Sequence, residues 1–432
     1  MKNRTIITFI LIVFTLNIYS QDKKVYGDSI KVPIDYSSSS TETFNLYYEL
    51  ANKFDPTKKT LFIITDGQQF YVRPGSVKKL RDKILGKDFN KLNVVAIVGR
   101  GTNNNLIQKC INKTNGTTDR EIAFKLFNSN QWIKDIESVR KHLLGNNGKI
   151  MLYGRSGGAY LTHRYISVYG NHVSKVFTQA AVNPFLELKL GIIPEPFWQE
   201  IGASNDSLQY KLQEVLSRYK EERRLIVSTI QRQNFYVSAD KIMSARAELI
   251  NSLYLGNKEL YEKLKENYAV NAVYNYMSSP KGIPIEVRVY ELFQPIYSEY
   301  DVINDSTVNP NMESQYNIAS PLMSLYNSGK IPAPLFDSKA ISELDLEIFL
   351  LSGYNDNTCS YQSQIYLSEY YKNSTLFIAK DNHVFSNITA AELYSKIIQT
   401  IFLYGNQSNE MDKLLEELNS FKWKVSRKSG NI

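Results

Sequence analysis

Cysteine and histidine are scarce in this chain of 432 residues, which contains two cysteines and four histidines. The sequence has no Cys-x-x-Cys and no His-Glu-x-x-His pattern, so the common zinc-binding motifs are absent. Beyond the N-terminal segment, no apolar run is long enough to cross a bilayer, and we expect no stable membrane insertion of the mature chain. Zinc enzymes and integral membrane proteins are therefore disfavoured.

Acidic residues are fewer than basic ones, and the formal net charge is +8. The lysines and arginines are scattered rather than arranged in a stripe, which is typical of a solvated basic surface. Hydrophobic residues make up 43% of the chain, which is enough to form a sizeable core. We expect a globular protein that does not bind nucleic acid.

The N-terminal segment has the pattern of a secretory signal peptide. A short basic region precedes an apolar run at residues 6–16, and small or polar residues follow. We expect a cleaved signal peptide at residues 1–20 and an exported mature chain, periplasmic or secreted; a retained anchor helix is the alternative. In an oxidising compartment, Cys110 and Cys359 could form a disulfide.

Short apolar runs typical of buried strands alternate with helical patterns along much of the chain. The runs are KKTLFIITDG, NKLNVVAIVGRG, KIMLYGRSGG, KVFTQAAVNP, LEIFLLSGYND and STLFIAKDNHV. Before them, SIKVPIDY and TFNLYYELANKF predict a hairpin or meander. Between the second and third runs, REIAFKLFNSNQWIKDIESVRKHLLG predicts a single helix that ends at Gly145. This alternation predicts an α/β fold with a mostly parallel sheet flanked by helices.

The alternation is interrupted in the middle of the sequence. From about residue 186 to residue 340, the chain consists mainly of helical segments rich in Tyr, Leu, Glu and Lys. Strand patterns resume after this stretch. We predict an α/β core formed by residues 21–185 and 341–432, with a helical insertion at residues 186–340.

A five-residue motif points to nucleophilic catalysis. Gly154-Arg155-Ser156-Gly157-Gly158 fits G-x-S-x-G and lies between a buried strand and a helix. Such a turn exposes the serine hydroxyl at the carboxyl end of a sheet, and the N–H of Gly157 can then stabilise an oxyanion. The alternative is a glycine-rich turn without chemistry.

A catalytic serine needs a base and an acid, which follow it along the chain in the order acid, then histidine. Three histidines precede Ser156 or lie on or just beyond the helix that follows it: His142, His163 and His172. His383, after the strand STLFIAK, remains as the base. Asp356, after the strand LEIFLLSG, is the predicted acid, with Asp381 as the competitor. The second oxyanion donor should come from the loop after KTLFIIT, and we predict the N–H of Gln68, with that of Gln69 as the alternative.

Several segments resemble a known group of enzymes. They are KVPIDY, TDGQQ, VVAIVGRGTNNN, KIMLYGRSGGAYLTHRYISVYG, SGYNDNTCS and NHVF. Arg100 and Gly101 match an Arg-Gly pair in the corresponding segment of these enzymes. Asp356 and Cys359 match the loop that carries their catalytic acid. These motifs are similar to those of the prolyl aminopeptidase-like α/β-hydrolases, which include proline iminopeptidases and tripeptidyl aminopeptidases. The resemblance implies an α/β-hydrolase fold in which the helical insertion forms a cap over the active site.

The resemblance also implies a serine peptidase with an acyl-enzyme mechanism, no metal or organic cofactor, and a short peptide as substrate. A carboxylic-ester hydrolase is the first alternative, because the same triad serves both reactions. A binding protein on a hydrolase scaffold is the second, because TDGQQ departs from the family's His-Gly-Gly-Pro-Gly oxyanion loop. Acids that hold a free α-amino group are expected in the insertion, where Glu195 and Glu200 are candidates by composition only; surface glutamates are the plainer interpretation.

Overall fold

A computed structural model describes residues 25–64, 73–87, 89–192, 195, 197–204, 206–297 and 309–429. The predicted signal peptide at residues 1–20 lies outside the described residues. No helix in the described part of the chain combines the length and the apolar character needed to cross a bilayer.

Nine strands form one sheet, and the central ones are buried on both faces. The strands are β1 (Tyr26–Pro33), β2 (Thr43–Leu50), β3 (Thr60–Ile64), β4 (Asn93–Ile97), β5 (Ile150–Arg155), β6 (Val173–Gln179), β7 (Glu347–Gly353), β8 (Asn373–Ala379) and β9 (Lys422–Lys428). Their order across the sheet is β1-β2-β4-β3-β5-β6-β7-β8-β9. Strands β3 to β8 are mutually parallel, whereas β1, β2 and β9 join the edges in antiparallel pairing.

Helices cover both faces of this sheet. The helices of the core are α1 (Val77–Leu85), α2 (Asn104–Lys109), α3 (Arg120–Phe127), α4 (Ser129–Leu144) and α5 (Gly157–Tyr169) before the insertion, and α16 (Tyr361–Tyr370), α17 (Ser386–Ala390), α18 (Leu393–Leu403) and α19 (Asn409–Glu417) after it. Because successive strand residues point to opposite faces, Phe62 and Ile64 pack with α4, α5 and α16. Leu61 and Ile63 pack with α1, α18 and α19 on the other face.

Between β6 and β7, the described residues form helices and no strand. These helices are α6 (Pro184–Lys189), α7 (Phe197–Ser204), α8 (Asp206–Arg218), α9 (Arg223–Tyr236), α10 (Ile242–Tyr254), α11 (Glu259–Asn267), α12 (Val270–Met277), α13 (Ile283–Tyr297), α14 (Pro310–Asn327) and α15 (Ser338–Ser342). Helices α7 to α11 share a small hydrophobic core around Trp198 and Ile230. Helices α13 and α14 pack instead against α2 and α3 of the α/β core.

This architecture is the α/β-hydrolase fold, and it confirms the predicted fold class, with its mostly parallel sheet, flanking helices and inserted helices. The sequence-based boundaries at 186 and 340 remain predictions.

One helix prediction was wrong. The single helix expected up to Gly145 is two helices, α3 and α4, which are separated at Asn128. Asn128 has an extended backbone (φ −62°, ψ 158°), and its side chain accepts a hydrogen bond from the N–H of Gln131. Asparagine caps a new helix in this way more readily than it continues an old one.

Candidate active site

Ser156 lies on the turn between β5 and α5, where the sequence predicts it. Its backbone has φ 51° and ψ −121°, which is a conformation that residues with a side chain rarely adopt. Such strain costs on the order of 1–3 kcal/mol and is concentrated at functional sites. Its N–H donates to the carbonyl of Gln179 at 2.9 Å, which fixes the turn against the end of β6.

The tight approach of β5 and α5 explains why Gly154 precedes the serine. A Cβ atom at this position would lie 2.2 Å from Oγ1 of Thr162, 2.8 Å from the carbonyl oxygen of Gly158 and 2.9 Å from Cα of Ala159. Two of these three atoms belong to the backbone and cannot rotate away. Only glycine therefore lets the helix leave the strand at this angle.

His383 and Asp356 meet at the carboxyl ends of β7 and β8. The imidazole Nδ1 of His383 lies 2.9 Å from Oδ2 of Asp356, and both side chains are buried. The other carboxylate oxygen, Oδ1, accepts the N–H groups of Thr358 at 2.8 Å and Cys359 at 2.9 Å. One oxygen of Asp356 is thus held by the backbone, and the second can orient the imidazole and fix its tautomer.

The loops that carry these two residues are packed directly on one another. A Cβ on Gly353, at the end of β7, would lie 2.7 Å from the carbonyl oxygen of Asp381 and 2.9 Å from that of Asn382. The N–H of Asn355 also donates to the carbonyl of Asp381 at 3.1 Å. The glycine therefore allows the acid loop to lie beside the histidine loop.

Asp381, the competing acid, has a different set of partners. Its carboxylate accepts backbone N–H groups from Asn382 at 2.9 Å, Asn387 at 3.1 Å and Ile388 at 3.0 Å. Two of these donors belong to α17. The carboxylate thus stabilises the start of that helix, whereas the imidazole bonds to Asp356.

The other three histidines lie elsewhere. His163 is buried in α5 with Nδ1 2.6 Å from the hydroxyl of Tyr371, and burial lowers its pKa to about 3. His172 follows α5, with Nδ1 3.3 Å from Glu137, and His142 is exposed on α4. None of these positions is at the carboxyl ends of β5, β7 and β8.

Gln179, at the end of β6, links the serine turn to the histidine loop. Its carbonyl accepts the N–H of Ser156, and its side-chain amide donates to the carbonyl of His383 at 3.1 Å. The hydroxyl of Tyr394 donates in turn to Oε1 of the same amide. The sequence interpretation missed Gln179; a polar residue at the end of an otherwise apolar strand, beside the strand of the nucleophile, was the available signal.

The two predicted oxyanion donors differ in what can be said of them. Gly157 is the first residue of α5, so its N–H is among the four that have no acceptor within the helix. Its carbonyl accepts Nη2 of Arg288, from α13, at 2.7 Å. Gln68 and its alternative, Gln69, lie outside the described residues.

Helix α9 of the insertion contacts the loop that carries His383. The ring of Phe235 packs edge-on against the His383 imidazole, with 5.2 Å between the ring centroids. The side-chain amide of Asn382 donates to the carbonyl of Val237 at 3.3 Å. These contacts place the end of α9 beside the imidazole, as expected of a helical cap.

Two carboxylates, one buried and one half-buried, lie near this group, and the sequence interpretation named only one of them. Glu187, in α6, was missed: its Oε1 accepts no hydrogen bond from any described residue. Burial raises the pKa of Glu187 to about 7, a backbone hydrogen bond at Asn183 opposes the shift, and the charge of Asp356 adds to it. A buried carboxylate with an open oxygen is a candidate partner for a cationic group of a ligand.

Glu195, a candidate from composition, is already surrounded by donors. It accepts hydrogen bonds from Trp198 at 2.9 Å, Gln231 at 3.1 Å and Asn311 at 2.7 Å, while burial raises its pKa. Glu200, the other candidate, is exposed on α7. The carboxylate best suited to bind a ligand is therefore Glu187.

The two cysteines are buried and not bonded to each other. Cys359 forms with Asp356 and His383 a group whose donor atoms lie within 4.8 Å of one another. A thiol binds metal ions as the thiolate, and burial raises the pKa of Cys359 well above its ordinary value, with the charges of Asp356, Glu187 and Glu195 adding to the shift. A cation at this position would therefore have to displace a tightly held proton.

No protein-family model matches the chain, and no curated protein matches its sequence. Solved structures are similar to it in fold. They include a bromoperoxidase from Bacillus anthracis (15% identity, TM-score 0.42, 87% of this chain and 100% of that chain covered), an esterase from Exiguobacterium antarcticum (11%, 0.40, 83% and 96%) and a meta-cleavage product hydrolase from Pseudomonas fluorescens IP01 (12%, 0.39, 84% and 95%). At these identities and TM-scores the likeness carries no argument about activity.

Proposed function

We propose that this protein is an exported serine hydrolase in which Ser156, His383 and Asp356 form a catalytic triad. The observation that carries the proposal is the hydrogen-bonded pair of His383 and Asp356, at 2.9 Å, on the same sheet edge as a serine with φ 51°. Gln179 bonds to both the serine turn and the histidine loop, which supports their assignment to one unit. The signal-peptide pattern at residues 1–20 supports export.

In the proposed reaction, the Ser156 hydroxyl attacks a carbonyl carbon and passes its proton to His383. Asp356 holds the imidazole in the tautomer that can accept this proton, and it stabilises the imidazolium that forms. The developing oxyanion is stabilised by the N–H of Gly157 and, we propose, by the N–H of Gln68. His383 then protonates the leaving group, and water hydrolyses the acyl-enzyme by the same steps in reverse order.

An aminopeptidase-type activity on short peptides is the specificity that the site supports best. Glu187 is buried within reach of the charge of Asp356, and no described residue donates to its Oε1. A free α-amino group is a compact cation that could occupy this position, and pairing would offset the cost of burying the carboxylate. The helices between β6 and β7 would admit only short substrates to the site.

Labelling with a fluorophosphonate probe tests the triad. The purified mature protein should be labelled, and Ser156→Ala should not be. Absence of labelling in folded wild-type protein would contradict the proposal and would favour a binding protein on a hydrolase scaffold.

A panel of three substrates tests the specificity. We expect hydrolysis of an aminoacyl arylamide, much slower hydrolysis of its N-blocked form, and weak activity on a short acyl ester. Preference for the ester, with no effect of N-blocking, would replace the peptidase by a carboxylic-ester hydrolase.

A further inference from the structure

A buried arginine of the insertion donates a hydrogen bond to the first residue of the helix that carries the predicted oxyanion donor. Arg288, in α13, donates from Nη2 to the carbonyl of Gly157 at 2.7 Å. Its guanidinium lies over the ring of Tyr160, 4.5 Å from the centroid, and the side chain is 2% exposed. The contact joins residues 131 positions apart in the sequence, so it exists only because the insertion folds back onto the core.

The position of this charge is unfavourable for the helix itself. The N-terminus of a helix carries partial positive charge, so an acidic group there is stabilising and a buried guanidinium is not. The carboxylate oxygen Oε2 of Glu291 lies 4.0 Å from Nη1 of Arg288. Its other oxygen accepts the N–H of Ser129 at 2.7 Å and the hydroxyl at 2.8 Å. The guanidinium of Arg288 therefore places a buried positive charge at the start of α5, where it does not stabilise the helix itself.

The orientation of the Gly157 backbone depends on contacts from outside its own helix. Glycine has no Cβ, and its backbone dihedral angles are less restricted than those of any other residue. The direction of its N–H therefore depends on what binds the flanking peptide groups. An oxyanion donor must point to the position of the developing charge before the reaction begins. The hydrogen bond from Arg288 supplies this restraint on the carbonyl side of the same residue.

We propose that Arg288 is a positioning residue that orients the Gly157 backbone and adds positive potential at the oxyanion site. The inference rests on the proposed function, because it assigns a role to the residue in the reaction of Ser156. It makes the insertion part of the catalytic machinery in addition to covering it. Arg288 itself touches no reacting atom in this scheme.

Saturation kinetics of fluorophosphonate labelling separate this role from a purely structural one. The limiting rate constant reports attack on phosphorus with charge on the phosphoryl oxygen, whereas the half-saturating concentration reports binding of the probe. Loss of one oxyanion donor costs about 100- to 1000-fold, and a residue acting through the donor should cost less, so we expect Arg288→Gln to lower the limiting rate constant about tenfold. The half-saturating concentration should stay within twofold of that of wild type.

Arg120→Gln is the matched control. Arg120, in α3, also joins the core to α13, with its Nε 3.0 Å from Oε2 of Glu286, but this ion pair does not involve Gly157. We expect the control to be labelled at the wild-type rate, even if both variants unfold at a lower temperature. Equal rates in Arg288→Gln and wild type would overturn the inference alone, and so would an equal loss in both variants. No labelling of wild type would instead overturn the serine hydrolase proposal and this inference with it.

A conservative variant keeps the test decisive if Arg288→Gln does not fold. Arg288→Lys retains the charge, but it lacks the planar fork that reaches Gly157 while stacking over Tyr160. We expect a limiting rate constant between those of the wild type and the glutamine variant, reduced about threefold or more on the same scale. A wild-type value in Arg288→Lys would contradict the inference.

Discussion

Two buried polar clusters of this protein differ in how fully their donors and acceptors are hydrogen-bonded within the protein. The first is a structural network formed by Arg100, Asp135 and Tyr36. Arg100 and Asp135 form two hydrogen bonds, Nε to Oδ2 at 2.7 Å and Nη2 to Oδ1 at 2.8 Å, and neither side chain is exposed. The remaining guanidinium nitrogen donates to the carbonyls of Ile34 at 3.0 Å and Leu126 at 2.8 Å. The Tyr36 hydroxyl donates to Oδ1 of Asp135 at 3.0 Å.

The second cluster, at the carboxyl ends of β5 to β8, is less completely hydrogen-bonded. Asp356 is fully hydrogen-bonded, but Ser156 is held in a strained conformation and Oε1 of Glu187 lacks a donor among the described residues. A network that serves stability uses every donor and acceptor on the protein itself, because each unpaired buried group costs about 1–3 kcal/mol. A site that binds ligands must keep such groups available. The comparison therefore separates the residues expected to affect stability from those expected to affect activity.

The largest effect should follow from Asp356→Asn. The amide cannot stabilise the imidazolium and favours the wrong tautomer of His383, so we expect the turnover number to fall by about 10³–10⁴. The change in the free energy of unfolding should be small by comparison. Steady-state kinetics and urea unfolding of the same preparation measure both.

Asp381→Asn is the matched control, because Asp381 lies on the same loop as His383 and bonds to backbone N–H groups instead. It should keep the turnover number within a few-fold of wild type. A greater loss in Asp381→Asn than in Asp356→Asn would reverse the assignment of the acid.

Next in size, Arg100→Met should destabilise the fold by about 3–5 kcal/mol, because it leaves the Asp135 carboxylate buried without its counter-charge. Desolvation already raises the pKa of Asp135, and Arg100 opposes that shift. The double variant Arg100→Met/Asp135→Leu should recover part of the loss, since it removes both charges. Folded protein of either variant should retain its specific activity; a loss of turnover without a loss of stability would show that the network is not purely structural.

A smaller effect is expected for Glu187→Gln, which keeps the shape of the side chain but removes its charge. Charge-assisted hydrogen bonds contribute about 1.5–3 kcal/mol, so KM for a substrate with a free α-amino group should rise about tenfold to hundredfold. Hydrolysis of the N-blocked substrate should not change. Glu200→Gln, on the exposed face of α7, serves as the control. An equal effect on both substrates would argue against recognition of the amino group by Glu187.

The last prediction concerns the pH dependence of stability. The pKa of Glu187 is raised to about 7 from its ordinary value of 4.5, so between these values the native state binds more protons than the unfolded state. Stability should therefore decrease as pH rises from about 4.5 to 7 through this group, and the decrease should be absent in Glu187→Gln. Thermal unfolding of both proteins at several pH values measures the difference; parallel curves would mean that Glu187 ionises normally in the folded protein.

Much of the core architecture could be predicted from local patterns. The runs TLFII and NVVAI form β3 and β4, and all of their residues are buried. Gly145 ends its helix with a positive φ of 72°, as expected of a terminating glycine. Strand β9 was not predicted, because KWKVSRK is polar and its residues are exposed or half-buried. Its pairing with β8, rather than an apolar pattern, makes it a strand.

The members of the site were predictable to different degrees. Ser156, Asp356 and His383 could be named because each follows an apolar strand, and parallel strands bring their carboxyl ends to one edge. The supporting residues Gln179, Glu187 and Arg288 could not be named in this way. Each of them interacts with a residue more than a hundred positions away in the sequence, and of the three only Gln179 had a local signal, as a polar residue at the end of an apolar strand.

The amino-acid sequence by itself determined the alternating strands and helices, the interruption by a helical segment and the order of serine, acid and histidine, because these depend on hydrophobic periodicity and on turn residues. Only the tertiary structure decided which polar groups are satisfied and which stay open. In the folded protein, Asp356 bonds to His383, whereas Asp381 accepts backbone N–H groups of α17. One oxygen of Glu187 has no donor among the described residues. The physical reason is that burial and hydrogen bonding depend on distances in space, and the packing of loops and helices around the sheet sets those distances.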